Sequence, residues 1–506
     1  MEASQAHPAR IDCFLRVNIT RADVTPTHRL VRWLFLRALA LVYLCAFFSL
    51  LFQVEGLIGA RGILPADELL RHVRERIGVE RYWLLPTLCW VHASDGFLLL
   101  LCGGGAALAA LLLFGVAPVA VLALLWTFYL SLVNVGQVFL GYQWDVLLLE
   151  TGLLAVFFAP GGLRPGVGRE PSRISLWLLR WLLLRLMLSS GLVKLASGDP
   201  TWRHLTALDY HYWTQPLPTW LAWYADQLPE WTHAASVALM FAVELLVPFL
   251  VFGGRRARLV AAVAFVGLQA LIALTGNYTF FNLLTAALCL TLLDDAALPA
   301  WLRARLPNDG APDGRRFPAR DLALAVVVLP VSLMQLVSAS GLRVGWPSPL
   351  PRLHQIVAPF ASVNGYGLFA VMTTSRSEIV VEGSLDGETW QAYEFRWKPG
   401  DPRRAPGFVA PHQPRLDWQM WFAALDSCAS NPWLVRFLAR LREGSPPVLG
   451  LLAADPFAGA TPRAVRAVLY DYRFTDLATR RRTGEWWRGE RLGLYCPVVD
   501  ASLPEP

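Results

Sequence analysis

The feature that most constrains this chain is a series of apolar segments, each about as long as a membrane-spanning helix. A helix needs about 20 mostly apolar residues to cross the hydrocarbon core of a bilayer. Nine such segments occur, at residues 30–52, 95–115, 116–134, 137–159, 174–196, 233–253, 257–275, 277–294 and 321–341. Because the break between the second and third segments is weak and the fourth carries Asp145 and Glu150, eight or nine spans are predicted.

Charged residues are unevenly distributed along the 506-residue chain. They make up 16% of all residues, whereas a soluble protein carries roughly 25%, and the deficit lies before residue 341. Residues 345–506 have the composition of a soluble domain. We therefore predict an N-terminal tail at 1–29, a polytopic α-helical membrane domain at 30–341 and a soluble C-terminal domain at 345–506.

Arginines in the short connections between apolar segments predict the orientation of the chain. Connections rich in Arg or Lys remain on the cytoplasmic side of a membrane. With nine spans, the N-terminal tail and the connections after residues 159, 253 and 294 all lie on that side. The net charge of +7 is therefore explained by arginines that orient the chain in the membrane, and no nucleic-acid partner is predicted. The connections 53–94 and 197–231 and the C-terminal domain then face the lumen or periplasm. The arginines concerned are Arg10, Arg16, Arg21, Arg29, Arg164, Arg169, Arg173, Arg255, Arg256, Arg258, Arg303, Arg305, Arg315, Arg316 and Arg320.

The C-terminal domain combines strand and helix patterns. Asp386 and Gly387 form a hairpin signal between two short segments rich in β-branched and aromatic residues. Apolar residues recur with helical spacing further on. An α+β domain or a β-sandwich with helical insertions is predicted, with strands at 377–383, 390–395 and 464–474 and helices at 416–425 and 432–443.

Seven cysteines are present, of which Cys428 and Cys496 lie in the C-terminal domain. A disulfide between them and two free thiols are both compatible with the sequence. The chain contains no CxxC pair, no Cys/His metal spacing, and no P-loop, GxSxG or HExxH motif. The sequence therefore predicts neither a metal ion nor a cofactor.

Ionisable residues within apolar segments are costly and by default mark functional sites. Asp145, Glu150, Lys194 and Glu244 are the four candidates. They could line a polar cavity, or form buried ion pairs that fix helix register, such as Lys194 with Glu244 or with Asp145. The small residues 189–191 just before Lys194 predict close helix packing there.

Lys194 is unusual because only two of the 45 basic residues are lysines. A lysine differs from an arginine in that it can lose its proton when buried. The functional interpretation is a lysine with a tuned pKa or a compact ion pair. The simpler interpretation is a side chain that extends to the membrane surface.

The connection 197–231 is rich in Trp, Tyr, His and Pro. Aromatic side chains collect at membrane interfaces because their rings are amphipathic. The connection is therefore either an interfacial belt or re-entrant cap, or a binding surface that faces the lumen. The candidate surface residues are Trp202, Arg203, Asp209, Tyr210, His211 and Gln215.

Several long motifs together resemble the lipase maturation factor family. In the membrane region they are GYQWDVLLLETGLLAVFFAP (141–160), SSGLVKLASGDPTWRHLTALDYHYWTQPLPTW (189–220) and NYTFFNLLTAALCLTLLDD (277–295). In the C-terminal region they are NGYGLFAVMTTSRSEIVVEGSLDGETWQAYEF (364–395), APHQPRLDWQMWFAAL (410–425) and GSPPVLGLLAADPF (444–457). Trp213 departs from the family pattern, which has Glu there, and the connection 197–231 lacks the cysteines of some eukaryotic members.

The resemblance implies a function in the maturation of secreted proteins. Eukaryotic family members are endoplasmic reticulum membrane proteins that secreted dimeric lipases need in order to fold and assemble, and in that role they are not known as enzymes. The scarcity of lysine indicates a GC-rich, bacterial genome, in which case the inner membrane and another client are expected. The partners implied are a secreted client protein and the lipid bilayer.

A second motif has two interpretations, and an enzymatic alternative also remains. His412, Gln413, Arg415, Asp417 and Trp418 either join the aromatic connection in a surface that shields a folding client, or dock the C-terminal domain on the spans. The segment around Lys194 is also similar to vitamin K-dependent γ-carboxylases. That similarity implies a membrane-embedded enzyme with Lys194 as base and Asp145 or Glu244 within hydrogen-bond reach.

Overall fold

The computed structural model describes residues 27–304 and 318–500. Its N-terminal part is a helical bundle, in which the longest helices are the apolar segments of the sequence. In chain order the helices of this part are α1 (Arg29–Leu51), α2 (Val54–Ile58), α3 (Ala66–Arg76), α4 (Arg81–Leu84), α5 (Asp95–Leu113), α6 (Pro118–Val135), α7 (Gln143–Phe158), α8 (Arg173–Ala196), α9 (Pro200–Arg203), α10 (Leu208–Thr214), α11 (Trp220–Asp226), α12 (Glu230–Leu245), α13 (Arg255–Thr275), α14 (Phe281–Cys289), α15 (Ala300–Arg303) and α16 (Ala319–Ala339).

Seven helices of the described chain are long and apolar enough to cross a membrane. They are α1, α5, α6, α8, α12 with its 3-10 continuation to Phe252, α13 and α16. The predicted class of a polytopic α-helical membrane protein is therefore confirmed, but two of the nine predicted spans are shorter than expected. The helix α7 has 16 residues and is about 24 Å long, and Phe281–Leu292 is about 18 Å long. The carboxylate of Asp145 accepts hydrogen bonds from the N–H groups of Gly141 and Tyr142 and so caps α7 at its first residue, Gln143.

Polar contacts gather four arginine-containing segments at one end of the bundle, here called the arginine end. The backbone N–H of Arg29 donates to Asp295, and Arg258 donates to the carbonyl of Leu292. His28 contacts Glu170, in the connection before α8. The start of α1, the connection before α8, the start of α13 and the segment after α14 therefore lie together. Arg10, Arg16, Arg21, Arg305, Arg315 and Arg316 lie outside the described residues.

The opposite end of the bundle carries the C-terminal domain and is called the domain end. The two short helices connect these ends. Asp145, at the start of α7, contacts the C-terminal domain, while Phe158 packs on Phe35 near the arginine end. Likewise Asn277 binds the C-terminal domain, and Thr291 accepts a hydrogen bond from Arg180 at the arginine end. Among the described residues, α7 and Phe281–Leu292 thus add two helical segments that extend between the ends to the seven long helices, and nine crossings stay a prediction.

The C-terminal domain is a four-stranded antiparallel sheet with helices packed on it. The strand order is β2-β1-β3-β4, and the predicted hairpin connects β1 to β2, with Gly387 at a φ of +88°. An α+β domain is confirmed, and the sandwich alternative is wrong for the described residues, which form one sheet. The elements are α17 (Pro349–Val357), β1 (Ser377–Ser384), β2 (Gln391–Ala392), α18 (Arg415–Ala424), α19 (Pro432–Arg442), α20 (Pro446–Leu449), β3 (Ala464–Phe474), α21 (Leu477–Thr483) and β4 (Trp487–Leu494).

A disulfide joins Cys428, just after α18, to Cys496, just after β4, with their Cα atoms 5.4 Å apart. Of the two states that the sequence left open, the structure has the disulfide. Because the bond spans 68 residues, it ties the helical layer of the domain to the edge of the sheet. Disulfides persist in oxidising compartments, so this bond is in keeping with a domain on the lumenal or periplasmic side.

Candidate functional site between the helices and the C-terminal domain

The candidate site is the seam, which we define as the contact between the domain end of the bundle and residues 361–376 and 409–421. Side chains of α1 bind the backbone of the 410–425 motif there. Ser49 accepts a hydrogen bond from the N–H of Gln413 at 2.9 Å, and Gln53 donates to the carbonyl of Gln413 at 2.8 Å. Gln53 also accepts from the N–H of Arg415 at 2.9 Å. This part of the motif is therefore held against a membrane helix.

Arg415 and Asp145 form the central ion pair of the seam. Two guanidinium nitrogens lie 2.9 and 3.1 Å from the two carboxylate oxygens, and the side chains are 1% and 0% exposed. The carbonyl of Phe139 accepts from Arg415 at 2.7 Å, and Tyr129 donates to Asp145 at 2.5 Å. A bidentate pair with further hydrogen bonds is the arrangement that makes burial of two charges tolerable.

The other predicted residues of this motif also face inward. Asp417 accepts from the N–H groups of Trp397 and Lys398 at 2.9 and 2.8 Å, which orders the C-terminal domain internally. Trp418 is buried and packs on Trp144, with ring centroids 4.7 Å apart. His412 is partly exposed and lies 2.9 Å from the hydroxyl of Ser49. This placement favours docking of the domain over direct contact with a client.

Glu150 lies in a second buried ion pair, with Arg185 of α8. Tyr366 donates to its carboxylate at 2.7 Å, and the N–H of Asn364 donates at 3.0 Å. Arg185 in turn donates to the carbonyl of Asn364 at 3.0 Å. The chain before β1 thus reaches down between α7 and α8. Asn364 and Tyr366 were missed as site residues, although they lie in the NGYG motif that carried part of the resemblance.

Lys194 forms the predicted pair with Glu244, and Asp145 is not its partner. The ammonium lies 2.8 and 3.1 Å from the two carboxylate oxygens and 3.0 Å from the carbonyl of Ser190. These acceptors use all three N–H bonds, and the ring of Trp202 lies 5.5 Å from the nitrogen. The helices α8 and α12 approach closely here, as predicted. These are the contacts expected of an ion pair that joins α8 to α12.

The aromatic connection is mostly packed beneath the C-terminal domain rather than open to solvent. Trp202 and Gln215 are buried, and the indole of Trp202 donates to the carbonyl of Phe369 at 3.1 Å. His211 lies 3.0 Å from the hydroxyl of Tyr278. Burial, helped by the charge of nearby Lys194, lowers the pKa of His211 to about 4.

The remaining residues of the predicted surface are more open. Asp209 lies 2.7 Å from the imidazole of His233 and thereby joins α10 to α12. Tyr210 is partly buried, and Arg203 is exposed. The predicted outward surface is therefore reduced to its margin, because the C-terminal domain covers its centre.

Arg376 is a site residue that sequence reasoning missed. It is 1% exposed and donates to the carbonyls of Trp213 and Pro216 at 2.8 and 2.9 Å. Glu378 pairs with it at 2.7 Å and with Lys398 at 2.8 Å. This cluster fastens the aromatic connection to the first strand of the sheet. No pattern marks a lone arginine in SRSE as buried, so the sequence offered no signal.

The seam has the chemistry of a structural joint. Most of its buried charges are paired with one another, Asp417 is bound by backbone N–H groups, and among the described residues no three His, Cys, Asp or Glu side chains are grouped to hold a metal ion. Beside it lies an open groove of about 700 Å³, between α3 of the bundle and α18 and α19 of the domain. Residues lining it include Leu64, Leu69, Val138, Gln419, Trp433 and Arg436.

Comparisons with known proteins match both parts of the chain. The family model of the lipase maturation factor transmembrane domain matches residues 30–300, and that of the lipase maturation factor C-terminal domain matches residues 362–497. The chain is 38% identical to lipase maturation factor 2 of Gallus gallus, over 94% of this chain and 82% of that protein. It is 36% identical to lipase maturation factor 1 of Homo sapiens, over 95% and 90%. No solved structure matches the chain.

Proposed function

This chain belongs to the lipase maturation factor family, and we propose that it promotes the folding or assembly of secreted proteins at its membrane. The observation that carries the proposal is that one chain matches both family domains over most of its length. The seam supports it as well, because it fixes a disulfide-bonded domain against the domain end of the bundle. A client would meet a rigid surface close to the lipid.

The γ-carboxylase-like alternative finds no support. It requires Lys194 to act as a base beside a substrate, and the ammonium already has three acceptors. A general base must lie within hydrogen-bond reach of the proton that it abstracts, and the groups within that reach of this nitrogen are the carboxylate of Glu244 and the carbonyl of Ser190. Maturation of a client protein therefore remains the proposal.

We assign client contact to the groove and to the adjoining open face of α18. Eight of the ten residues of α18 are buried, and its open face carries Gln419 and Phe422, followed by Leu425. Phe422 and Leu425 are 39% and 47% exposed. Apolar side chains in water beside an open groove are a typical protein-binding surface. The client proposed from the names of the relatives is a secreted lipase, and the compartment is the endoplasmic reticulum lumen or the periplasm.

The test is secretion of a dimeric lipase from cells that lack their own lipase maturation factors. The wild-type chain is expected to raise lipase activity per amount of secreted lipase. The double variant Phe422→Asp/Leu425→Asp should lose most of that gain at unchanged membrane abundance, because charged side chains oppose apolar contact.

Leu492→Asp is the matched control, since Leu492 is 57% exposed on β4, away from the groove, and should behave as wild type. A double variant that matures the lipase normally would remove the groove and α18 from the proposal. A wild-type chain without effect would argue against a lipase client.

A further inference from the structure

Two segments outside the nine helical segments descend along the bundle from the domain end. The first is residues 79–91. The carbonyl of Pro86 accepts from Asn134 at 2.8 Å, and Thr87 donates to the carbonyl of Ser131 at 3.0 Å. Because α6 ends at Val135 and rises 1.5 Å per residue, Ser131 lies about 6 Å below its outer end.

The second segment is residues 342–360, which includes α17 and follows the last helix of the bundle. Its last residue, Phe360, stacks on Trp126 with ring centroids 6.3 Å apart. The indole of Trp126 donates to Ser362 at 2.9 Å. Trp126 is nine residues before the end of α6, so its backbone lies about 13 Å below the outer end of that helix. Trp83 of the first segment contacts Phe360 edge-on at 4.9 Å, which joins the two segments.

Several exposed side chains of these segments are apolar, and Glu80, Arg343, Arg352 and Gln355 are exposed among them. Trp83 is 49% exposed, Leu84 52% and Ile356 51%. The bundle helices on which the segments lie present similar residues at their own surfaces, such as Leu124 at 45% and Leu333 at 44%. Exposed apolar side chains therefore occur both on these bundle helices and on the two segments beside them.

We propose that residues 79–91 and 342–360 form an apron embedded in the outer leaflet of the bilayer. Trp83, Leu84 and Ile356 contact lipid acyl chains, while Arg81 and Arg352 lie at the level of the headgroups. Their depth favours lipid over a protein partner, because these side chains lie beside the spans rather than beyond the end of the bundle. Aromatic and arginine side chains together are typical of the membrane interface. The inference concerns a lipid contact and does not depend on the client.

Nitroxide labels report which solvent surrounds a position. Single cysteines are introduced as Leu84→Cys and Ile356→Cys into the full-length chain, with Cys13, Cys45, Cys89, Cys102 and Cys289 replaced by Ala and the disulfide kept. Each labelled protein is reconstituted in phosphatidylcholine vesicles. Collision with oxygen, which concentrates in lipid, is compared with collision with a water-soluble nickel chelate. Size-exclusion chromatography selects folded protein before labelling.

Two controls of similar exposure calibrate the ratio of the two collision rates. Val263, in the middle of α13 and 66% exposed, represents lipid, and Leu492 on β4, 57% exposed, represents water. Labels at 84 and 356 should match the Val263 label, with a ratio several-fold above that of Leu492. Ratios equal to that of Leu492 would overturn the proposal. Low collision rates with both reagents would also overturn it, because they would show that protein, such as a second copy of the chain, covers the segments.

Discussion

The Arg415–Asp145 ion pair shows how the stability of the fold depends on both members of a buried pair of charges. Arg415 and Asp145 are fully buried and bind each other through two hydrogen bonds. Taking away one partner leaves the other charge buried without compensation, which costs about 3–5 kcal/mol. Replacing both by apolar residues removes that penalty.

We therefore expect Arg415→Met and Asp145→Leu each to reduce membrane abundance and to expose the C-terminal domain to protease. The double variant should recover much of both properties. Abundance in isolated membranes and the rate of trypsin cleavage are the measurements. Single variants as abundant and as resistant as wild type, but defective with a client, would favour direct client contact by the motif instead.

Lys194 provides a second residue-scale prediction. Its ammonium is bound by both oxygens of Glu244, so a fixed positive charge should satisfy the site. Lys194→Arg should retain most activity and abundance, whereas Lys194→Ala should lose both because Glu244 is left unpaired. Rescue of a deletion strain, read beside immunoblots of membranes, checks this. If Arg fails as completely as Ala while both proteins stay abundant, the site needs a lysine that can deprotonate, and the enzymatic alternative returns.

These residues also show how far sequence reasoning extends. The cost of an ionisable group in an apolar segment is a local property, so Asp145, Glu150, Lys194 and Glu244 could be singled out from the sequence alone. The partner of Lys194 could be proposed because it lies in a neighbouring span. Asp145 is paired with a residue 270 positions away, and such a pairing depends on how the domain folds back.

Strands and helices of the C-terminal domain could be predicted where their apolar residues follow a regular pattern. The strand β3 was predicted with its exact bounds, and the helices α18 and α19 within one residue at each end, because their apolar residues repeat with the period of the element. The strand β4, with sequence WRGERLGL, was missed. It lies at the edge of the sheet and is exposed along most of its length, so burial imposes no alternation on it.

The Cys428–Cys496 disulfide should stabilise the C-terminal domain, and this can be tested directly. In the chain-entropy view, a bond that closes a loop of 68 residues stabilises the domain by about 4 kcal/mol. Cys428→Ser and Cys496→Ser should therefore lower the unfolding temperature and speed proteolysis between α18 and β3. The double variant should be no worse than either single one. Cys289→Ser, at a free buried cysteine, is the control, and equal stability of all variants would contradict this role.

The number of times that the chain crosses the membrane decides which connections lie on its cytoplasmic side. Length and apolarity alone give seven spans, whereas contacts at the two ends of the bundle indicate nine passages. Seven crossings would place the connection 160–172 outside and the connection 197–231 inside. Nine crossings reverse both assignments, and only nine put the described arginine-rich segments on one side, as the distribution of basic residues in membrane proteins requires.

Fusions to alkaline phosphatase, which needs disulfides and is active only outside the cytoplasm, distinguish these topologies in a bacterial host. With nine crossings, a fusion after Gly166 should be inactive and one after Leu228 active, while seven crossings give the opposite result. A fusion after Asp500 should be active in both cases and serves as the control for expression. Active fusions after Gly166 would mean that α7 turns back within the membrane. The Arg415–Asp145 pair would then lie at the outer end of a helix that enters and leaves the membrane on the same side. The arginines in the connection 160–172 would then lie outside the cytoplasm, contrary to the prediction.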